Sequence, residues 1–177
     1  MKKIAFLLAI IFVSFFAVNC VTAPAKCTCE CACTACGCNP EAVKETDLSY
    51  ILGREWKLVA AHVNDTFPRE IHFDRARLLK DNFGDIYSLK FTPEQMSGKG
   101  NPNNYASSYT ITEVGKAITL LGWTNTDAYS SFYPDRLKEK DYFTYMQNAY
   151  RWELSSAKKL LLHSKTADGF DVQLTFE

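Results

Sequence analysis

The chain has 177 residues, the size of one domain or slightly more, which excludes a multidomain enzyme of the kinase or large-barrel type. Apolar residues make up 47% and charged residues 23%, close to the averages of globular chains that fold. Lys plus Arg (20) balances Asp plus Glu (20), which argues against a nucleic-acid partner held by phosphate neutralisation.

Residues 1–19 read as a signal peptide. Met1-Lys2-Lys3 is a positive n-region, and Ile4 to Val18 runs without a charge at the length of a secretory h-region. A membrane span wants about 20 apolar residues, so a retained span is the weaker alternative. Two exits from the leader compete. Ala17-Val18-Asn19-Cys20 resembles a relaxed bacterial lipobox, with Asn19 where a small residue is usual; Cys20 would be acylated and become the N-terminus. Ala23-Pro24-Ala25 is an A-x-A signal that would instead start a secreted chain at Lys26. We read Cys20 as the lipidation site, because a cysteine at the end of the h-region is otherwise hard to explain. Acyl chains would then hold the protein at an envelope membrane, each buried CH₂ contributing about 0.8 kcal/mol. Either exit places the domain outside the cytoplasm, on the outer membrane or the periplasmic face if lipidated. Lys2 and Lys3 leave with the leader, and the remainder is faintly acidic.

Residues 20–49 read as a lipidated cysteine followed by a cysteine-rich tether. Cys27, Cys29, Cys31, Cys33, Cys36 and Cys38 stand among small or polar spacers, with no apolar residue larger than alanine. Such a stretch does not belong to a packed core. Thiols at C-x-C spacing converge on soft ions such as Zn²⁺ or Cu(I), as in metallothionein-like segments. The alternative is a plain tether whose thiols are oxidised or modified in an oxidising compartment.

The folded domain is expected over residues 50–177. Trp56 to Val63 reads as a strand, and Tyr87 to Phe91 alternates with period two. Ala106 to Thr112 and Ala117 to Leu121 form a hairpin across Glu113-Val114-Gly115-Lys116. Tyr150 to Leu154, Lys159 to His163 and Phe170 to Phe176 close the chain as three strands, with Ser155-Ser156 and Asp168-Gly169 as turns. One segment departs from this rhythm. After Pro134-Asp135, the run Arg136 to Asn148 with Tyr142, Tyr145, Met146 and Ala149 on one face predicts an amphipathic helix. The fold class expected is α+β, β-dominant: a curled antiparallel sheet, or partly open β-barrel, with one helix closing a side. Ser97-Gly98-Lys99-Gly100 and Asn103-Asn104 read as a tight or bulged connection between strands, in which Ser97, Asn103 and Asn104 bond local main chain.

Leu52-Gly53-Arg54-Glu55-Trp56-Lys57-Leu58 resembles the opening L-G-x-x-W-x-L strand of META/HslJ-type domains, a family of small envelope and secreted proteins. Ser97, Gly98, Gly100, Asn103, Tyr105 and Tyr109, following Phe91 and Met96, resemble the family's central S-G-x-x-G-x-N-x-Y signature. A helix with Pro134 and Glu139 to Tyr145, then Leu160-Leu161-Leu162 and Val172-x-Leu174-x-Phe176, continues the likeness across about Leu52 to Phe176. Many members carry a cysteine before the Asn; here Pro102 stands there, and no cysteine follows Asn39. The resemblance implies a small, partly open β-barrel-like fold with one helix, similar in shape to lipid-binding pilot lipoproteins of secretion systems, and a family without an enzymatic activity established for it as a whole.

Ser97 to Gly100 lacks the spacing of a phosphate-binding Walker loop, and neither a G-x-S-x-G nor an H-E-x-x-H motif occurs. The histidines are His62, His72 and His163. Glu70, His72 and Asp74 would share one face of a strand and could hold a metal, although a solvated face over Ile71 and Phe73 is the favoured reading. Aromatic residues, 14% of the chain, concentrate between Trp123 and Trp152. They suit either a core under the helix or a hydrophobic groove. If a ligand groove exists, its expected lining is Trp123, Tyr142, Tyr145, Met146 and Trp152. The function expected is non-enzymatic, a lipid- or peptide-binding or assembly module at a membrane surface with no resident cofactor. Soft-metal binding by the cysteine tract is the alternative.

Overall fold

The computed structural model describes residues 46–131 and 136–177; the leader, Cys20, the cysteine tract and Pro134-Asp135 lie outside the described residues. In chain order the elements are α1 (Asp47–Ile51), β1 (Glu55–Asn64), β2 (Arg69–His72), α2 (Arg75–Lys80), β3 (Ser88–Phe91), β4 (Met96–Lys99), β5 (Asn104–Ile111), β6 (Ile118–Asn125), α3 (Glu139–Gln147), β7 (Arg151–Leu154), β8 (Leu160–Lys165) and β9 (Asp171–Phe176). The nine strands form one sheet in the order β6-β5-β4-β3-β1-β9-β8-β7, with β2 added on β1. Every pairing between named strands is antiparallel. This is the β-dominant curled sheet expected, a half-barrel.

The curl brings the two end strands together. Ala117 bridges Arg151, Ile118 N–H donates to the Tyr150 carbonyl at 3.1 Å, and Trp152 N–H to the Lys116 carbonyl at 2.8 Å. Beyond Ile118 the two strands separate, and α3 packs over that side: the Ser164 hydroxyl on β8 donates to the Tyr145 carbonyl of α3. At the other end α1 is held to the β5–β6 turn, where Leu48 N–H donates to Glu113 Oε2 and Lys116 Nζ to Asp47 Oδ2.

Why these residues make this sheet is clearest on β1. Trp56 and Leu58 face inward, and so do Ala61 and Val63, which breaks simple alternation. Pairing with β9 passes from Leu58↔Phe176 to Ala60↔Thr175, so Val59 is an extra residue on β1. A bulge of this kind resets the parity and returns Ala61 and Val63 to the core face. The inward faces of β8 and β9, Leu160, Leu162, Val172, Leu174 and Phe176, complete that half of the core.

The expectation of one helix is corrected to three among the described residues. α1 and α2 have five and six residues, too short for a helical period to show. They are fixed by caps instead: Thr46 Oγ1 accepts from Ser49 N–H, and Asp74 Oδ1 from Arg77 N–H. α3 starts at Glu139 rather than Arg136, with Glu139 and Asp141 in the first turn, where the helix dipole favours carboxylates. Of the segment read as a tight connection, Ser97 to Gly100, the first three residues lie on a regular strand, β4, paired on both sides by β3 and β5. Gly98 and Gly100 do not adopt the left-handed conformation a turn would require.

Candidate functional site

The signature residues form a structural hub between the sheet and α3. Gly98 lies beneath the Tyr105 ring: a Cβ there would be 2.5 Å from the Tyr105 hydroxyl and well inside contact with the Ser88 carbonyl. A Cβ on Gly100 would be 2.5 Å from Glu139 Oε1. Both glycines therefore serve close approach, not chain reversal. Asn103 is buried and fully engaged. Its Nδ2 donates to the Ala128 carbonyl at 2.8 Å and to Glu139 Oε2 at 2.7 Å, and its Oδ1 accepts from Thr126 and from Ala128 N–H. The Tyr109 hydroxyl donates to the Thr92 carbonyl and Trp56 Nε1–H to the Ile51 carbonyl. Ser97 is paired within β4 to Ala106 of β5. These contacts fix how strands and helices meet.

The aromatic groove is corrected. Tyr142, Met146 and Trp152 are completely buried, and Tyr145 is nearly so. The ring of Tyr142 meets Tyr87 edge-on at 5.0 Å, and its hydroxyl lies 3.1 Å from that of Tyr105, both directed at the Ser88 carbonyl. Burial, with the Tyr105 hydroxyl partly offsetting it, pushes the Tyr142 phenol above its ordinary range; burial and Tyr142 push Tyr105 well above. Trp152 Nε1–H donates to the Thr112 carbonyl at 3.0 Å under the strand closure. Trp123 alone of the five is half-exposed, stacked on Tyr105 at 4.7 Å. These side chains fill the inside of the curl and pack on one another, so they are core.

The open surface lies at one end of the barrel. A cleft of about 690 Å³ runs between the β1–β2 turn, the outer side of α3 and the β8–β9 turn. Phe67 and Phe170 flank it, 82% and 40% exposed. Arg69, Lys138, Lys140, Asp65, Asp141 and Asp168 supply charges of both signs around them. The two turns are neighbours because Asn64 pairs with Asp171. The β1–β2 turn is firmly built: Asp65 accepts from Phe67 N–H at 2.9 Å and pairs with Arg69. The Phe67 amide first, and Arg69 with it, hold the Asp65 carboxyl below its usual range. Of the five residues expected to line a groove, Tyr145 reaches this cleft. Sequence reasoning missed both phenylalanines: Phe67 stands between Thr66 and Pro68, where no strand face exists to bury it, whereas Phe170 shares the parity of Val172, Leu174 and Phe176 and was expected on the last strand, which starts instead at Asp171.

The Glu70, His72, Asp74 set is not assembled. His72 Nε2 is 3.5 Å from Glu70, but Asp74 leaves the strand and caps α2. Among the described residues no group of three or more His, Cys, Asp or Glu is placed to hold a metal. His62 and His163 stand on either side of Gln173 across β1, β9 and β8, on the outer face. Partial burial, then the Arg151 charge, lowers the His163 pKa.

A second cleft, of about 490 Å³, lies at the opposite end of the same strands, beside Tyr50, Arg54 and Lys158. Among the described residues no helix is long and apolar enough to cross a membrane. No protein-family model matches the chain, and no curated protein does. An NMR structure of a protein from Burkholderia xenovorans is similar to it, with a TM-score of 0.48 and 14% identity over 75% of this chain and 88% of that one.

Proposed function

We propose that this protein is a non-enzymatic lipoprotein of the bacterial cell envelope, a META/HslJ-like domain carried on Cys20, and that it acts as a binding or assembly module at the membrane surface. The observation that carries the reading is the pair of exposed phenylalanines, Phe67 and Phe170, flanking the cleft between α3 and two tight turns. An apolar centre with a rim of mixed charge is the composition of a protein-binding patch. A lipid chain would call for an enclosed apolar cavity. The partner we assign is therefore an apolar segment of another envelope protein.

The test places a photo-reactive residue at Thr66 in the full chain in intact cells, with Val114, exposed elsewhere, as control. A discrete protein adduct at 66 that disappears in a Phe67→Ser/Phe170→Ser variant supports the reading. Lipid adducts at 66, or adducts equal at 66 and 114, overturn it. A second reading rests on the six thiols between Cys27 and Cys38: a surface protein that sequesters Zn²⁺ or Cu(I). Metal in the purified mature protein, lost when the six are changed to serine, would favour it.

A further inference from the structure

The cleft at the start of β1 differs in chemistry from the one at its end. The guanidinium carbon of Arg54 is 3.8 Å from the centroid of the Tyr50 ring, and Lys158 Nζ is 4.6 Å from it. Arg54 Nε–H donates to the Tyr50 carbonyl at 2.8 Å, and the side chain is exposed. The carboxylates bordering the cleft are already engaged, Glu55 by Lys57 at 2.6 Å and Glu177 by Lys159. Among the described residues no carboxylate pairs with Arg54 or Lys158.

The placement of Lys158 is built into the β7–β8 turn. Ser155 N–H donates to the Lys159 carbonyl and Lys158 N–H to the Ser155 carbonyl, both at 2.9 Å. Lys158 has φ 59°, the left-handed conformation normally left to glycine or asparagine. The fold thus bears a backbone cost at the one position that sets an ammonium over Tyr50.

We propose that this Tyr50–Arg54–Lys158 face docks on the anionic phospholipid surface carrying the Cys20 anchor, Arg54 and Lys158 each taking a headgroup phosphate; the proposal rests on the reading of Cys20 as lipidated. The 26 residues from Cys20 to Glu45 span up to about 90 Å when extended, whereas β1 spans about 30 Å. The linker therefore leaves either end of the barrel free to meet the membrane, and charge decides between them. The end bearing Phe67 and Phe170 carries three carboxylates against its three cations, while the Tyr50 end sets Arg54, Lys158, Lys159 and the adjacent Lys57 against Glu55 and Glu177, an excess of two cations. Each such cation near an anionic leaflet favours contact by about fivefold, and the two together by ~30-fold in a molecule already anchored. A tyrosine between them suits the headgroup layer, where aromatic rings with a polar tip are enriched. β1, β8 and β9 run from this face to the other, so docking here turns the Phe67–Phe170 cleft away from the membrane.

The test uses the mature protein purified from the membranes of cells expressing the full chain, reconstituted in vesicles of phosphatidylcholine alone, or with one-third phosphatidylglycerol. Amide hydrogen exchange is followed at residues 50–54 and 155–159. Both segments are expected to slow severalfold on the anionic vesicles only, to recover at high salt, and to show no slowing in Arg54→Gln/Lys158→Gln. Lys158→Gly separates docking from folding: it relieves the positive φ, so its melting temperature holds or rises while protection falls. Equal exchange on both vesicles, or protection that persists in the double variant, overturns the docking. Intact mass of the same sample reports the anchor independently. A chain without acyl groups overturns the anchor reading and this proposal with it, whereas acylation with equal exchange overturns the docking alone.

Discussion

Asn103 directs both of its N–H groups at one carboxylate: its backbone amide donates to Glu139 Oε1 and its side-chain amide to Glu139 Oε2, each at 2.7 Å. One carboxylate thereby joins the first turn of α3 to the loop entering β5. Asn103→Ala removes a hydrogen bond to a charged acceptor and leaves Ala128 and Thr126 without theirs, and is expected to cost about 3 kcal/mol. Asn103→Asp is expected to cost more, because it sets two carboxylates together. Urea unfolding monitored by tryptophan fluorescence measures both.

Two glycines are expected to respond to the same substitution in different ways. Gly98→Ala drives a methyl group into the Ser88 carbonyl and the Tyr105 hydroxyl, both fixed in the core, and should destabilise by roughly 3 kcal/mol or more. Gly122→Ala meets open space, but φ is +69° at a bulge where β6 gains a residue on β5, so the loss should be about 1 kcal/mol. Melting temperatures of the pair, compared with Gly53→Ala as a second open site with positive φ, decide the matter.

The buried hydroxyls of Tyr105 and Tyr142 should resist alkali. Burial raises both above the ordinary phenol range, so the folded state keeps them protonated while the unfolded chain releases its protons near pH 10. Their stabilisation is complete below that pH and falls as pH rises above it. Phenolate absorbance is therefore expected to rise in two stages, first from exposed tyrosines and then abruptly with unfolding.

His163 sets the acid side. Burial and Arg151 lower its folded pKa below the unfolded value of about 6.5. The neutral form is the one the fold accepts, so this stabilisation is present above about pH 6.5 and is lost as pH falls through the folded value. His163→Gln is expected to flatten the stability profile over that window. His62→Gln, on the same outer face, serves as the comparison.

The sheet was largely legible, because alternation on β8 and β9 and the hairpin around Gly115 state their faces directly. β1 was legible as a strand but not in its parity, since a bulge at Val59 depends on β9 and not on local sequence. α1 and α2 escaped because a cap and one turn leave no period. The aromatic run from Trp123 to Trp152 announced a large apolar volume, but composition does not say whether a curl is filled or hollow. That was decided by the closure between Ala117 and Arg151 and by the seating of α3, both long-range events.

The position of β1 between β3 and β9 also bears on when the protein becomes a protein. Its partners in β3 are nearby in sequence, but Ala61 waits for Leu174 and Val63 for Val172, near the end of the chain. Pairings this distant make folding slow. At about 5–20 residues per second of synthesis, the stretch from Val63 to Val172 takes roughly 5–20 s to make, and β1 waits that long for its β9 partner. One edge of β1 therefore stays unpaired in the nascent chain throughout that interval.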